Sequence, residues 1–323
     1  MKFIILEEEI NPSTDYYIVP LLENKNLIFT RLNYQTLNDF KLEENAKVFL
    51  VRYLTNKVLK WLKKYKSKID KIYYFMDDDL FDLKALKDLP LRYAFKIFHK
   101  AWKFKNWLTT NTQIFVSNDY LAEKYQKFNP IVLPPYPTHI EEKDLLLSPE
   151  AQRTLVFYHS TASHKIEFVW LRNLLSELQS EKLFFEIVVD QRTTKKYRGI
   201  RNLCLVNPMK WTEYLTFSSL KYRHIGLAPL FDNPFNRARS YVKFYNLMRS
   251  GAVGIYSEYF PLAKSIKEFQ AGIVLPMEIK AWKSAILELA DNHEKRKELF
   301  EGGKRLLYHL KEKTLEDYKK INI

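Results

Sequence analysis

Glycine is scarce in this chain. Its 323 residues include only 7 glycines, against an average usage of roughly 7%, and the first of them is Gly199. Dinucleotide-binding fingerprints and phosphate-binding P-loops both need glycines at fixed offsets, because the backbone must approach the phosphate closely. Dehydrogenases and P-loop nucleotide hydrolases of standard type are therefore excluded.

Cysteine and long apolar runs are lacking as well. The single cysteine, Cys204, cannot form an internal disulfide or build a cysteine-rich zinc site. No run approaches the roughly 18 apolar residues of a membrane-spanning helix. The opening stretch MKFIILEEEI is too short and too soon acidic for a signal peptide. We expect a cytoplasmic protein, with peripheral contact to the inner face of the membrane left open.

The composition is that of a folded, basic protein. Hydrophobic residues make up 46% and aromatic residues 15%, which excludes disorder. The formal net charge of +14 attracts anionic partners, such as nucleic acid, acidic lipid headgroups or phosphorylated small molecules. The charge is spread along the chain, and no nucleic-acid-binding motif is visible, so nucleic acid is the least favoured of these partners.

Short apolar runs alternate with helical patterns, which predicts an α/β fold with parallel sheets. The strands predicted in the first half are Lys2–Leu6, Val48–Tyr53, Lys71–Met76, Gln113–Ser117 and Ile131–Leu133, and the helices are Asn56–Lys68, Leu91–Trp107 and Asn118–Lys127. The strands predicted in the second half are Thr154–Tyr158, Phe184–Val189, Leu203–Val206, Ile225–Ala228, Ala252–Tyr256 and Ile273–Leu275, and the helices are Ile166–Gln179, Thr212–Leu220, Ser240–Ser250, Ile279–Asn292 and Glu294–Leu310. Prolines and a charged, aperiodic stretch separate the halves. We therefore predict domains at residues 1–137 and 151–323, joined by a linker at 138–150.

The most specific pattern lies in the run IGLAPLFDNPFNRARSYVKFYNLMRSGAVGIYSEYFP. A strand ends in the turn Ala228-Pro229-Leu230, the loop Asn233–Ser240 opens a helix, the helix ends at Gly251, and the next strand ends at Ser257. This run resembles the donor-binding segment of GT-B glycosyltransferases. It is most similar to the bacterial family-4-like enzymes that make capsule, O-antigen or lipooligosaccharide. The segments FYHSTASH (Phe157–His164) and YYFMDDDLFD (Tyr73–Asp82) are similar to other parts of the same group.

The resemblance implies two Rossmann-like domains, each with a doubly wound parallel sheet, that face each other across a cleft. It further implies a nucleotide-sugar donor on the second domain, a glycan or lipid-linked acceptor, a retaining reaction, and no metal or other cofactor. The chain departs from the family at the usual Glu-x7-Glu pair, whose places are taken by Ala238 and Asn246. This replacement leaves inversion of configuration open.

Glycosyl transfer needs stabilisation of a phosphate leaving group, which without a metal falls to cationic side chains and a helix N-terminus. Arg239 and Lys243 are four residues apart and can reach one phosphate, so we assign them to the leaving group. A solvated basic helix start is the alternative. The other predicted donor-binding residues lie in the same loop and helix or in the turn after the strand Thr154–Tyr158. They are Ser160, Thr161, His164, Asp232, Asn236, Arg237, Ser240 and Asn246. An ordinary capped turn is the alternative for the first three.

Three consecutive carboxylates follow the strand Lys71–Met76. As the Asp-x-Asp of GT-A enzymes they would hold a divalent metal and the donor. In a GT-B cleft, Asp78 would be a general base or a ligand of the acceptor hydroxyl, with Asp77 and Asp79 beside it on the acceptor side. The organisation of the chain favours the second reading, although Asp79 or Asp82 could simply cap a helix.

Lysines crowd the aromatic helices of the first half, Asn56–Lys68 and Leu91–Trp107. Such helices suit an anionic membrane surface, and a core stripe with a solvated lysine face is the alternative. For the whole chain, two further functions stay open. One is a non-catalytic scaffold with a GT-B-like fold, since the Glu pair is replaced, and the other is a basic nucleic-acid-binding protein.

Overall fold

The computed structural model describes residues 2–161 and 163–323. Within these residues, twelve strands form two six-stranded sheets, and all strand pairs are parallel. The first sheet contains β1 (Phe3–Glu7), β2 (Phe29–Asn33), β3 (Ala46–Val51), β4 (Ile69–Met76), β5 (Gln113–Val116) and β6 (Ile131–Val132). The second contains β7 (Thr154–His159), β8 (Leu183–Val188), β9 (Leu203–Val206), β10 (Ile225–Ala228), β11 (Val253–Ser257) and β12 (Gly272–Leu275). The α/β prediction is confirmed.

Helices connect successive strands, as parallel pairing requires. The α-helices of the first half are α1 (Val19–Asn24), α2 (Asn56–Lys64), α3 (Leu91–Lys100), α4 (Lys105–Asn111) and α5 (Asp119–Lys124). Those of the second half are α6 (Lys165–Glu177), α7 (Gln191–Thr194), α8 (Trp211–Ser219), α9 (Pro234–Arg237), α10 (Val242–Arg249), α11 (Ala263–Glu268), α12 (Ile279–Asp291) and α13 (His293–Lys320). A π-helical turn at Thr14–Ile18 precedes α1.

The first sheet is buried on both faces. Alternate residues of β1 enter two different hydrophobic cores, with Phe3 and Ile5 in one and Ile4 and Leu6 in the other. A strand that is covered on both sides reads as a continuous apolar run, as FIIL does here. This burial of both faces explains why the strands of the first half show no alternation of apolar and polar residues.

The strand orders place a topological switch point in each sheet. The first sheet has the order β2-β1-β3-β4-β5-β6, and the second has the order β12-β11-β10-β7-β8-β9. In the first sheet, β2 lies on one side of β1 and β3 lies on the other. In the second sheet, β8 lies on one side of β7 and β10 lies on the other. Crevices open beyond the carboxyl ends of strands at such points, between β1 and β3 and between β7 and β10.

The last helix joins the two halves of the chain. Near its end, the Tyr318 hydroxyl donates to the Pro134 carbonyl oxygen over 3.2 Å, and the Thr314 hydroxyl donates to the Pro135 carbonyl oxygen over 3.4 Å. The Tyr245 hydroxyl of α10 donates to the same Pro135 oxygen over 3.1 Å. The α13 helix thus begins against the second sheet and ends on the segment that leaves the first.

The stretch between the sheets packs against the second half. The Ser148 amide donates to the Gly251 carbonyl oxygen over 2.8 Å. Gly251 has φ +72°, and a Cβ there would lie 2.4 Å from the Leu146 carbonyl oxygen, so the position demands glycine. Strand β6 ends at Val132 and β7 begins at Thr154. The finer boundaries at residues 137 and 150 stay predictions.

The first half differs from the prediction at a helix and at a strand. The single helix predicted over Leu91–Trp107 ends at Lys100, because Ala101 leaves helical geometry at φ −133° and a 3₁₀ turn precedes α4. Strand β2 was not predicted, since its sequence FTRLN has only one fully buried side chain, Leu32, and carries too few apolar residues to stand out.

Candidate functional site

The two switch points face each other across one cleft with a volume of about 450 Å³. Its first wall is built from segments that follow β1, β3 and β4, together with α3. Its second wall is built from segments that follow β7 and β10, together with α10. The polar side chains that line it and are used below are Ser13, Arg52, Asp77, Asp78, Tyr93, Ser160, Thr161, Ser163, His164, Arg239, Ser240, Lys243 and Asn246.

On the first wall, one guanidinium holds two carboxylates. Arg52 Nη1 lies 2.9 Å from Asp77 Oδ1, and Arg52 Nη2 lies 2.7 Å from Asp78 Oδ2. The Ser13 hydroxyl donates to Asp77 Oδ2 over 2.6 Å, and Arg52 Nη2 also donates to the Tyr93 hydroxyl over 2.9 Å. Burial raises the pKa of Asp77, while the charge of Arg52 opposes the rise.

Asp79 lies outside the cleft, which corrects the expectation that it faces the acceptor. Its carboxylate is fully buried, Lys124 Nζ lies 2.6 Å from Oδ2, and the Tyr125 hydroxyl donates to Oδ1. Lys124 also contacts Asp82 Oδ2 at 2.6 Å. Asp77 and Asp78 thus line the cleft, whereas Asp79 is held beneath it by Lys124 and Tyr125.

On the second wall, Lys243 projects from the first turn of α10. Its ammonium donates to the His159 carbonyl oxygen over 3.1 Å and lies 4.3 Å from the centre of the Tyr158 ring. Burial lowers the pKa of Lys243 to about 7, with the charge of Glu167 opposing this shift and the charge of Arg239 adding to it. No carboxylate among the described residues forms an ion pair with this ammonium.

Arg239 lies just before α10 and reaches across the cleft. Its Nη2 donates to the Ser163 hydroxyl over 2.7 Å, and its Nη1 lies 3.4 Å from Asp78 Oδ1. The side chain of Asn118 in the first half donates to the Arg239 carbonyl oxygen over 3.3 Å. The structure therefore brings Asp78, Arg239 and Lys243 together at one cleft, as the sequence predicted.

The turn after β7 supplies hydroxyls and one imidazole to the cleft. Ser160, Thr161, Ser163 and His164 line the cleft, and the Thr161 and Ser163 hydroxyls lie 2.8 Å apart. Burial, together with the charges of Arg239 and Lys243, holds the pKa of His164 well below its usual range. Ala162 of the FYHSTASH segment lies outside the described residues.

Asn246 and Ser240 are held by tyrosines of the first half. Asn246 Oδ1 accepts from the Tyr16 hydroxyl over 2.7 Å and from Arg249 Nη2 over 2.6 Å, so its amide nitrogen is free to donate into the cleft. The Tyr17 hydroxyl donates to Ser240 Oγ. The helix predicted to start at Ser240 starts two residues later. The first helical residue is Val242, and Ser240 accepts from its amide over 3.3 Å.

Three predicted donor-binding residues lie outside the cleft. Arg237 and Asp232 form an exposed bidentate pair, with N–O distances of 2.6 and 2.8 Å. Asn236 is buried, and its amide donates to Glu167 Oε1 over 2.8 Å. Arg237 is the last residue of α9 and its side chain is 57% exposed, whereas the Arg239 side chain is 16% exposed. This geometry corrects the prediction that all three contact the donor.

The sequence did not single out Arg52, Ser13 or Tyr93. Arg52 stands inside an apolar run and was taken as part of a strand, but it has φ +61° and turns its side chain into the cleft. Ala238, at the place of the family's first Glu, is fully buried. Among residues 2–161 and 163–323, no three His, Cys, Asp or Glu side chains are grouped as ligands for a metal ion.

No family model and no curated protein matches the sequence. Solved structures do match the fold. WaaG, a glycosyltransferase involved in lipopolysaccharide biosynthesis, aligns over 97% of this chain and 98% of its own with a TM-score of 0.62 and 12% identity. Sucrose-phosphate synthase from Thermosynechococcus elongatus aligns over 99% and 97%, with a TM-score of 0.63 and 10% identity. HepE from Anabaena, in complex with UDP and glucose, aligns over 99% and 100%, with a TM-score of 0.62 and 10% identity. The chain has the GT-B fold of these proteins.

Proposed function

We propose that this GT-B-fold chain is a glycosyltransferase that moves a sugar from a nucleotide-sugar donor to a glycan or lipid-linked acceptor in bacterial surface-polysaccharide synthesis. One observation carries the proposal. Two cations of the second half, Arg239 and Lys243, face the carboxylates of the first half across a cleft at the carboxyl ends of both sheets. HepE binds UDP and glucose, and WaaG acts in lipopolysaccharide synthesis, which supports the same classes of donor and pathway here.

The donor phosphates would bind the second wall. Lys243 lacks an ion-pair partner in the described part of the chain. Arg239 contacts the Ser163 hydroxyl of its own half and the Asp78 carboxylate of the other half. A departing diphosphate gains negative charge, and cations that are already in place stabilise it without reorganisation. Hydroxyls of the turn after β7 and the Asn246 amide would contact the sugar and the nucleoside.

The acceptor hydroxyl would lie between Asp78 and the donor. In the transfer, the acceptor oxygen bonds to the anomeric carbon, and the bond from that carbon to the phosphate oxygen breaks. We propose a retaining reaction in two stages. Asp78 first orients the acceptor by accepting the hydrogen bond of its hydroxyl, and the hydroxyl proton then moves to the departing phosphate oxygen as the new glycosidic bond forms. We further propose that no metal is required, because Arg239 and Lys243 carry the charge that a metal would supply. NMR of the product's anomeric centre tests retention, and activity in EDTA tests the metal.

The acceptor side adjoins an exposed apolar surface. On α3, Tyr93 and Lys96 line the cleft, while the opposite face exposes Leu91 by 88% and Phe95 by 65%. Exposed basic residues lie in and next to α3 in the chain, namely Lys84, Lys87, Arg92 and Lys103. Exposed apolar side chains in a basic segment suit an anionic lipid surface, so we propose peripheral contact here. On α2, by contrast, Trp61 is buried, and the lysines form a solvated face.

No helix in the described part of the chain is both long and apolar enough to cross a bilayer. We propose that membrane contact is made by the α3 face. It brings a lipid-linked acceptor to the same wall that carries Asp78.

A thermal-shift panel of UDP, GDP, ADP, TDP and CMP tests the donor. A nucleotide at 100 times its dissociation constant stabilises the folded state by about 2.7 kcal/mol. We expect one of the diphosphates to shift the unfolding midpoint, Arg239→Ala to remove the shift, and Arg237→Ala to retain it. The second variant is a matched control, because Arg237 lies two residues away but bonds to Asp232 outside the cleft.

The thermal-shift panel, followed by an assay of product release, distinguishes the alternatives. Release of nucleoside diphosphate from the matching sugar nucleotide supports a transferase, whereas binding with no release of product supports a non-catalytic scaffold. The absence of any shift, combined with salt-sensitive binding to nucleic acid, would contradict the proposal.

A further inference from the structure

Arg52 occupies an unusual position at the switch point of the first sheet. It directly follows β3 and has φ +61°, a left-handed conformation that arginine seldom adopts. The neighbouring strand β4 holds its backbone there at both the amide and the carbonyl. The Arg52 amide donates to the Phe75 carbonyl oxygen over 2.8 Å, and the Tyr74 hydroxyl donates to the Arg52 carbonyl oxygen over 2.7 Å. A strained backbone held from two sides at a cleft indicates a functional constraint on the side chain.

The Arg52 side chain fixes Asp78 in a defined orientation. Its Nη2 contacts Asp78 Oδ2 at 2.7 Å, and the side chain of Asp78 is only 5% exposed. The other carboxylate oxygen, Oδ1, is left facing the second half, 3.4 Å from Arg239 Nη1. Asp78 thus bridges two arginines that belong to opposite walls of the cleft.

The Asp78 carboxylate occupies the face of Arg239 to which an anionic ligand would bind. A carboxylate and a phosphate oxygen accept the same hydrogen bonds from a guanidinium, so they compete for Arg239. In the described part of the chain, Asp78 is the only acid that pairs with Arg239. The carboxylate therefore stands where the proposed donor phosphate would bind.

We propose that Arg52 is a positioning residue that couples the two substrates of the proposed transferase. Without a donor, Arg52 holds Asp78 on Arg239. When the donor phosphate binds Arg239, Asp78 stays bound to Arg52, and its released Oδ1 becomes the acceptor for the incoming hydroxyl. This inference rests on the proposed function for the identity of the substrates, but the competition itself concerns only an anion and Arg239.

Pyrophosphate binding, measured by isothermal titration calorimetry, tests the competition without an unknown sugar or base. Asp78→Asn removes the internal anion, and we expect it to tighten pyrophosphate binding by about fivefold or more. Asp77→Asn is the matched comparison, since it removes a carboxylate from the same Arg52 guanidinium without touching Arg239. We expect a change of at most about twofold there, because that charge acts only at a distance.

Arg52→Gln tests the positioning role through an effect of opposite sign. Without Arg52, Asp78 pairs with Arg239 alone, so pyrophosphate binding weakens. The double variant Arg52→Gln/Asp78→Asn then binds as tightly as Asp78→Asn, because Arg52 acts through Asp78. If Arg52 merely added positive charge to the cleft, the two changes would instead cancel. Arg52→Lys keeps the charge and should restore part of the loss.

Three results would overturn the inference. They are unchanged pyrophosphate affinity in a folded Asp78→Asn protein, an equal gain in Asp77→Asn, and a gain that persists when Arg239 is also replaced by alanine. Circular dichroism melts establish that each variant is folded. The proposed function fails separately, through a wild-type protein that binds pyrophosphate but neither binds nor cleaves any sugar nucleotide.

Discussion

The two walls of the cleft differ in how their charges are satisfied. On the first wall, Arg52 pairs with Asp77 and Asp78, and Lys124 pairs with Asp79 beneath the surface. On the second wall, Lys243 donates to a carbonyl oxygen, and among the described residues the acid that reaches Arg239 comes from the other half. At the cleft, the first wall therefore pairs its own charges, whereas the second wall presents cations without an acid from their own half. This difference is why we propose the second wall for the phosphate.

The largest expected effect concerns Arg239, a cation of the second wall. Replacing Arg239 by alanine removes a charged donor from the proposed leaving-group site, and the loss of one such preorganised donor costs roughly 10²–10³-fold in kcat. Steady-state release of nucleoside diphosphate measures it. Arg237→Ala should keep the wild-type rate, and equal losses in the two variants would erase the distinction between the walls.

For the paired charges beneath the first wall, we expect a substitution to reduce stability and to leave ligand binding unchanged. Lys124→Met leaves the buried Asp79 carboxylate with only the Tyr125 hydroxyl, which should lower the free energy of unfolding by roughly 1–3 kcal/mol. Urea unfolding measures this change. Pyrophosphate affinity should stay at the wild-type value, and a matching fall in affinity would show that the charges under the first wall act on the ligand.

The second wall also predicts a dependence on pH. Lys243 has a pKa of about 7 without ligand, and a bound phosphate raises it, so the ammonium form is the one that binds. Below pH 7 this group is already protonated and its contribution is constant. Above pH 7 a proton must be taken up, and affinity for nucleoside diphosphate falls by up to about tenfold per pH unit. Lys243→Arg, which stays charged, should flatten the profile measured by calorimetry.

The smallest effect concerns the outer surfaces of the halves. Leu91→Ser on α3 should weaken binding to vesicles of anionic lipid by roughly threefold to tenfold, because one exposed apolar side chain is lost from the contact. Val169→Ser on α6 is the control, since Val169 is another exposed apolar side chain, at 48%, but lies on the second half. Equal effects in sedimentation assays would contradict a membrane surface on the first half.

The sequence predicts local features of this molecule well. The bounds of β9 and β10 agree with the predicted runs Leu203–Val206 and Ile225–Ala228. The helix predicted at Asn118–Lys127 begins next to Asn118, whose side chain accepts from the Leu121 amide over 3.0 Å. These features depend on neighbouring residues, such as apolar runs and side chains that bond to the next turn, and such neighbours are visible in a sequence.

Parts of the site depend on distant residues and could not be predicted. Arg52 reads as part of a strand, because the residues that hold its turn, Tyr74 and Phe75, belong to the next strand. The tyrosine that holds Asn246 is 230 residues away in the chain. Arg237 and Arg239 look equivalent in a basic loop, but in the structure Arg237 pairs with the exposed Asp232 and Arg239 reaches Asp78 across the cleft.

The return of α13 to the first half has a mechanical consequence. Two passes of the chain, the segment at Pro134 and Pro135 and the end of the last helix, cross between the sheets and are bonded to each other. Proline restricts the backbone of one pass, and helical hydrogen bonds stiffen the other. A change in the angle between the two sheets would therefore have to bend both passes together at this crossing. Removing the residues after Lys313 would leave a single crossing and free the two sheets to twist as well as to open.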